Sequence, residues 1–404
     1  MQYIEKSDIY TFSRTLFFIF LFRASIDIPL EFTKIGGIGL GALINLFVFF
    51  ITCCLISAQK FKVPQAAIRP FLIFIIFGLI SILVSPIPIE SARSFFSVIT
   101  YVSVFIISYY YIYSGGKYED CRNVIIYSSV VPFFFAFFEI FMIFINGEGR
   151  LYSTFSHPNI FAFYCVLIFS ISMIDFVKKE CDIRGRLLFV MFFSVFCLLM
   201  TQTRSAWLAL FIVLLTYGIF ANRKFLIYLF LMTSCLFFIP LVQDRVIDLF
   251  SGNDVNEVLQ GEALNSYAWR KLVWNSSEDM IFQSPIFGHG YNTFSYYFED
   301  FFPLPTDKNY DAHNTYVQVA FDMGLISVFA YLFIYYCVVN KMRQLLRFDK
   351  VKYSISMGLV FSYILVGYSD NMLFYLAYNW YFWFFVGVVY FDKNSEVMFE
   401  KYER

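Results

Sequence analysis

The chain has 404 residues, of which 59% are hydrophobic and only 15% charged, with a mean hydropathy of +0.66. A soluble domain is ordinarily nearer half apolar and a quarter charged, so a separate water-soluble domain of ordinary size is excluded. The formal net charge is zero, which leaves no global basic field, and nucleic acid is not expected as a partner. The 56 Phe and 30 Tyr suit lipid-facing and interfacial positions. Among the eight Cys, only the adjacent Cys53 and Cys54 are closely spaced. Neither a disulfide framework nor a zinc site is indicated. The polar start MQYIEKSDIYTFSR precedes an apolar run with no small-residue cleavage pattern, so no cleavable signal peptide is expected.

A bilayer core about 30 Å thick takes roughly 20 mainly apolar residues per helix. That ruler predicts an all-α polytopic membrane protein of about twelve transmembrane helices. The spans lie near 11–30, 38–57, 70–85, 94–113, 123–145, 158–176, 187–202, 204–221, 225–241, 313–339, 353–369 and 371–391. Lys and Arg set the orientation. One set of connections holds Lys60, Lys62, Arg69, Lys117, Arg122, Lys178, Lys179, Arg184, Arg186, Arg223 and Lys224. It continues with Lys341, Arg343, Arg347, Lys350 and Lys352 and with both termini. About twenty basic residues against about eight place this set, and both termini, in the cytoplasm. The chain then divides into 1–241 with spans one to nine, an outer loop at 242–312, and 313–404 with spans ten to twelve and a cytoplasmic tail.

A loop of about 70 residues is too long for a plain connector. From Asn265 to Ile281, Trp269, Leu272, Val273, Met280 and Ile281 recur at helical spacing, with Asn265 or Ser266 available as N-cap. This predicts an amphipathic helix at the membrane surface, with Arg270 and Trp274 off its apolar stripe. Pro285, Gly288 and Gly290 in QSPIFGHGYNTF mark turns.

Function in a membrane protein shows where polar groups sit against expectation. In TQTRSAWLAL, Arg204 occupies a short outward turn on a side poor in basic residues. It reads equally as an arginine snorkelling to lipid headgroups. Arg270, beside Lys271, carries a guanidinium suited to bidentate phosphate contacts, and contact with anionic lipid is the commoner role for such a residue. In DAHNTYVQVAFDMG, Asp311 or Ala312 is expected to cap span ten, placing His313 and Asn314 in its first turn. The helix dipole there suits an anion and keeps His313 neutral and able to accept a proton. The three histidines, His157, His289 and His313, all fall on the outer side, although a lone interfacial His is usually structural. In RLYSTFSHPNIFAFY, Pro158 suits a first helical residue, so a helix-start role is the first reading of His157. Arg150 and Asn159 lie at the same level. Glu139, Asp322 and Asp370 are intramembrane acids, and Arg23 with Asp27 form an i,i+4 pair.

The ordered series RLYSTFSHPNIFAF, TQTRSAWLAL, WRKLVW with SPIFGHGYNTF, AHNTYVQVAFDMGLIS and VGYSDNM, spanning about 150–372, resembles the O-antigen ligase and O-antigen polymerase superfamily of bacterial envelope proteins. Residues 1–145 add only topology. The resemblance implies a GT-C-like glycosyltransferase architecture in the inner membrane, with an active site at the periplasmic face. It implies transfer of a glycan from undecaprenyl diphosphate to an acceptor hydroxyl, with inversion. His313 would be the catalytic base, and Arg204 and Arg270 would hold the diphosphate. Secondary candidates are Arg150, His157, Asn159, Asn314 and Asp370. Two arginines remove the need for a metal, and no cofactor is expected.

Polymerase and ligase share the donor and differ in the acceptor. The RLYSTFSHPN segment and the Phe content favour polymerase, for which a chain-length regulator would be a partner beside the lipid-linked glycan and membrane lipids. Transfer to lipid A-core, the ligase reaction, is the alternative. A transporter or lipid-linked oligosaccharide flippase would also span the membrane many times, but such proteins often have two related halves and charges at mid-bilayer. Here the long loop has no counterpart in the first half, and the polar groups cluster at the interface.

Overall fold

In hydrocarbon, backbone N–H and C=O groups must find partners within the protein, and a helix does this locally. The computed structural model describes residues 17–33, 39–58, 65–178, 184–236, 238, 243, 266–306 and 308–390, and among these there are helices and no strand. Five helical stretches are long and apolar enough to cross a membrane: Leu40–Ser57, Pro88–Tyr113, Tyr118–Asn146, Pro158–Lys178 and Leu325–Arg347. Shorter apolar helices lie between them. The protein is a multi-pass membrane protein.

In chain order the helices are α1 (Asp27–Phe32), α2 (Leu40–Ala58), α3 (Gln65–Val84), α4 (Pro88–Tyr113), α5 (Tyr118–Ser128), α6 (Val130–Asn146), α7 (Pro158–Lys178) and α8 (Arg184–Met200). They continue as α9 (Arg204–Phe220), α10 (Phe225–Leu236), α11 (Ser266–Gln283), α12 (Phe298–Phe301), α13 (Thr315–Met323), α14 (Leu325–Met342), α15 (Lys350–Val366) and α16 (Leu376–Tyr390). The predicted spans fall on these helices within a few residues, apart from the breaks below. Lys60, Lys62, Lys179, Asn265, both termini and nearly all of 242–265 lie outside the described residues.

The centre of the bundle is aromatic. α7 and α16 are buried on nearly every side, and Trp380, Tyr381, Phe384 and Tyr164 carry almost no exposed surface. α6 is the opposite case, with Phe134, Phe137, Phe138, Phe141 and Phe144 all exposed. Such a surface would be a liability in water and is the expected lipid face in a bilayer. Gly358 lets α15 approach α9 closely: a Cβ there would come within 2.6 Å of the Val213 Cα.

Besides the break at Ser129 between α5 and α6, three predicted spans are interrupted toward one end of the bundle. Span one is helical over 17–23, turns at 24–26 and resumes as α1; residues 11–16 lie outside the described set. The freed groups are met from afar, since Ala24 N–H donates to the Tyr381 hydroxyl (2.9 Å) and the Ala24 carbonyl accepts from Thr154 Oγ1 (2.7 Å). Span ten is two helices, because Gly324 has φ +85° and separates α13 from α14. Span twelve begins with a 3-10 turn, Met372–Phe374, before α16. Asn379 Nδ2 donates to the Met372 carbonyl (2.7 Å) and the Tyr101 hydroxyl donates to the Leu373 carbonyl (2.9 Å). Irregular backbone at membrane depth is tolerated where protein groups satisfy it in this way.

The opposite end is closed by charges. Arg122 pairs with Asp175 at 3.0 Å and Lys178 with Asp349 at 2.5 Å, and the Lys352 ammonium lies 4.1 Å from the centre of the Tyr118 ring. These basic residues all belong to the connections assigned to the cytoplasm from sequence.

The helix foreseen at 265–281 is α11, but its apolar stripe is turned inward rather than onto lipid. Leu272, Val273 and Ile281 are buried with Phe294, Phe298, Phe302 and Phe321 in a second, smaller core. The aromatic segment that follows α11 supplies a protein surface for the stripe, which sequence periodicity alone could not reveal. The turn 284–293 is sewn to α13. His289 N–H donates to the Phe321 carbonyl (2.9 Å), Gly290 N–H to the Asp322 carbonyl (3.0 Å) and Leu325 N–H to the Pro285 carbonyl (2.7 Å).

Gly288, at φ +69°, lies so close that a Cβ would meet the Asp322 and Met323 backbone at 2.4 Å. Gly288→Ala is therefore expected to lift the turn off α13, costing more than the roughly 1–2 kcal/mol of left-handed strain alone. The measurement is protease cleavage within 284–306 in intact membranes, which should rise at least tenfold. Unchanged cleavage would show that the turn does not depend on this approach.

Candidate functional site

The interrupted end gathers the N-terminus of α7, the α8–α9 turn, the stretch before α13 and the α15–α16 turn. Arg150, His157, Asn159, Arg204, His313, Asn314 and Asp370 lie on or beside these segments, and Arg270 lies on α11, which packs against α13.

α7 begins at Pro158, as expected. His157 precedes it, and its Nδ1 accepts from the Asn159 N–H at 3.1 Å, so the ring closes the helix start. Asn159 sits at a crossing point. Its Oδ1 accepts from Arg150 Nη2 (3.0 Å) and Thr203 Oγ1 (3.2 Å). Its Nδ2 donates to Asp370 Oδ1 (2.9 Å) and lies 3.3 Å from the Tyr375 hydroxyl. Arg150 also donates from Nε to the Thr201 carbonyl (2.9 Å) and from Nη2 to Thr203 Oγ1 (3.1 Å). One amide thus joins α7, the 147–157 segment, the α8–α9 turn and the α15–α16 turn.

Arg204 is the first residue of α9, directly after Thr203. Gln202 in that turn has φ +54°, a left-handed conformation that reverses the chain within three residues. Arg204 is half-buried, on the segment that Arg150 and Asn159 anchor.

Asp370 is 1% exposed. Beyond Asn159, its Oδ1 accepts from the Tyr375 hydroxyl (2.7 Å), and its backbone carbonyl accepts from Thr315 Oγ1 (3.0 Å). Arg270, half-buried on α11, donates from Nη1 to the adjacent Ser369 carbonyl at 2.6 Å. The surface helix and the last turn are therefore joined directly through a candidate arginine.

The start of α13 differs from expectation. Asn314 is the N-cap, and its Oδ1 accepts from Tyr316 N–H (2.9 Å) and Val317 N–H (3.2 Å). Thr315 N–H donates to the Gly367 carbonyl at 2.7 Å. These three amides are already occupied, so the helix start is not the open anion cradle inferred from the dipole. His313 lies one residue before the cap rather than in the first turn, with φ +47°. A non-glycine residue there is strained, and such strain persists only when the surroundings over-determine it.

His313 is half-buried. Burial pushes its pKa below the ordinary 6.5, Arg270 and more weakly His157 push the same way, and Asp370 opposes them. The His157 pKa is also lowered, by desolvation first and Arg150 second, again with Asp370 opposing. His313 thus lies in the field of Arg270, Asp370 and His157, and His157 in that of Arg150 and Asp370. Near pH 7 this leaves His313 a neutral imidazole with one free-base nitrogen, by burial and cation proximity rather than by the helix dipole. The arrangement offers a neutral base with the Arg270 guanidinium and the buried Asp370 side chain in its field.

Sequence reasoning missed Thr203, Thr315, Gln318 and Tyr375, which hold the named residues in place. Nothing in their local pattern marks them, because their partners are remote in the chain. His289 is set apart from the group: its Nε2 lies 2.7 Å from the Met280 carbonyl, where it braces the 284–293 turn.

Because Arg270 depresses and Asp370 raises the His313 pKa, Arg270→Ala should raise it and Asp370→Asn should lower it further. Chemical modification of His313 as a function of pH, followed by mass spectrometry, checks both signs. A midpoint unmoved in Arg270→Ala would mean that the guanidinium does not face the ring.

Residues 189–332 match the family model described as O-antigen ligase. The matched segment runs from within α8 to within α14 and contains Arg204, Arg270 and His313. No curated protein matches the chain.

Proposed function

We propose that this protein, residues 189–332 of which match the O-antigen ligase family model, is an O-antigen polymerase. It would transfer a glycan from undecaprenyl diphosphate to a sugar hydroxyl of another lipid-linked repeat unit. The reading places it in the bacterial inner membrane with both termini cytoplasmic and the site at the periplasmic face, in a GT-C-like architecture. Supporting this sidedness, the ion-paired end of the bundle carries the basic connections, and the positive-inside rule assigns that end to the cytoplasm.

One observation carries the reading: His313, kept neutral, lies in the field of Arg270 and Asp370, while Arg270 is bonded to the turn that bears Asp370. In the proposed step, the acceptor oxygen forms the new bond to the anomeric carbon as the bond from that carbon to the diphosphate oxygen breaks. The electron pair departs with undecaprenyl diphosphate, and the hydroxyl proton passes to the His313 imidazole. Attack opposite the leaving group inverts the anomeric centre. Arg204 and Arg270 meet the charge that develops on the diphosphate, so the step invokes no metal. Arg150, His157, Asn159, Asn314 and Asp370 frame the site, and a chain-length regulator would be the protein partner.

Purified protein with a lipid-diphosphate-linked repeat unit tests this directly. His313→Ala should lower kcat by about 10²–10⁴, the range for a general base. Arg204→Ala and Arg270→Ala should each cost about 10²–10³, as for loss of a charge-stabilising donor. Wild-type kcat should fall on acidification through a midpoint below the ordinary histidine value, since the base is lost as His313 gains a proton. Normal transfer in His313→Ala would remove the assignment, and no transfer by the wild type would favour a transport role.

The ligase reading is favoured by the description of the matched family model. A deletion strain separates the two. Loss of a polymerase should leave lipopolysaccharide capped with a single repeat, whereas bare core would establish the ligase.

A further inference from the structure

Gln318 lies on α13, one helical turn before Asp322, and both side chains are almost wholly buried, at 0% and 1% exposure. Neither is absorbed by the mechanism above, yet every amide atom of Gln318 is engaged. Its Oε1 accepts from the Ala312 N–H (3.1 Å) and from Asn371 Nδ2 (3.2 Å), and its Nε2 donates to Asp322 Oδ2 (3.0 Å). Asp322 in turn accepts from the Asn292 N–H (2.8 Å) and the Thr293 N–H (3.2 Å). Ala312 directly precedes His313, Asn371 directly follows Asp370, and Asn292 and Thr293 close the glycine turn.

We infer that Gln318 is a positioning residue. It sets the strained backbone of His313 and its placement relative to Asp370, through a relay that runs to the outer-loop turn by way of Asp322. Ala312, the residue before His313, is gripped on both sides, by Gln318 at its N–H and by Trp274 Nε1 at its carbonyl (2.6 Å). Asn314, the residue after His313, is held to α13 by its side-chain cap on Tyr316 and Val317 N–H. This double grip over-determines a left-handed residue that would otherwise relax. As a role in catalysis the inference rests on the transferase reading; as a statement about the His313 backbone it does not.

The chemistry requires an amide, because one end must accept while the other donates. A glutamate would set an oxygen against Asp322 Oδ2, and the two carboxylates could remain close only by sharing a proton. The ionisable groups that face this pair are Asp311, from the stretch before α13, and Tyr291, from the glycine turn. Neither supplies a cation. Acid should therefore repair Gln318→Glu, and base should break it, which is the reverse of the wild-type acid loss.

The test measures the rate at which diethyl pyrocarbonate modifies His313 in full-length protein, as a ratio to wild type at the same pH. In Gln318→Glu the ratio should exceed tenfold near pH 8 and fall toward one near pH 6. In Gln318→Leu, which has no polar atoms, it should be raised at both. Where the enzyme turns over, Gln318→Glu should show at least tenfold lower kcat near pH 8 with the donor KM little changed. A Gln318→Glu ratio that stays flat across the two pH values overturns the inference, and comparing one sample with itself guards against a folding defect. A wild type inactive in transfer would sink the polymerase reading while leaving the modification result to decide the relay.

Discussion

Asp370 is a carboxylate almost wholly removed from solvent, and the interrupted end of the bundle is organised around it. A buried charge without hydrogen-bonding partners would cost several kcal/mol. Asn159 and Tyr375 supply donors to its carboxylate, and Thr315 supplies one to its backbone carbonyl. Those donors sit on α7, at the threshold of α16 and at the first residue of α13. Satisfying one group therefore fixes three segments. Asn159 extends the set, because donating to Asp370 turns its oxygen toward Arg150 and Thr203. That choice brings the α8–α9 turn, and with it Arg204, to the same place.

Broken helices provide the irregular backbone on which this network is built. A continuous helix satisfies its own amides and presents only side chains, so it cannot place backbone groups toward a ligand. The interruptions at Ala24–Ile26, Gly324 and Met372–Phe374 each free such groups, and each is met by a remote partner: Tyr381 and Thr154, the 285–290 turn, and Asn379 with Tyr101. The partners are nearly all tyrosine, threonine or asparagine. These residues supply hydrogen bonds without bringing a net charge into hydrocarbon.

The two ends of the bundle meet most of their charges differently, although Arg23 pairs with Asp27 at 2.9 Å beside the first break. At the ion-paired end, Arg122 with Asp175 and Lys178 with Asp349 neutralise one another at close range, a closed arrangement. At the interrupted end, Arg150 and Arg270 each donate to a backbone carbonyl, and Arg150 also donates to Asn159 and Thr203. A carbonyl does not neutralise the guanidinium it accepts from, and Arg270 is among the causes that hold the His313 pKa down. The reactivity proposed for the site has its electrostatic origin in that difference.

The sequence by itself determined the helical, multi-pass membrane class, and most of the predicted spans coincide with described helices. Apolar length and basic flanks are local properties, and bilayer thickness reads them directly. Gly288, Gly290 and Pro158 likewise announced a turn and a helix start, because backbone restriction is intrinsic to the residue. Tertiary structure alone decided that the α11 stripe packs on phenylalanines of its own loop, that span ten breaks at Gly324, and that Asn314 rather than Asp311 caps α13. It also decided that His313 sits before the helix, where burial and Arg270, not the dipole, hold it neutral. Apart from the Asn314 cap, which is closed by amides two and three residues on, these outcomes depend on partners remote in the chain. Local pattern shows which residues can accept a proton or donate a hydrogen bond, and only the packed chain fixes which of them meet.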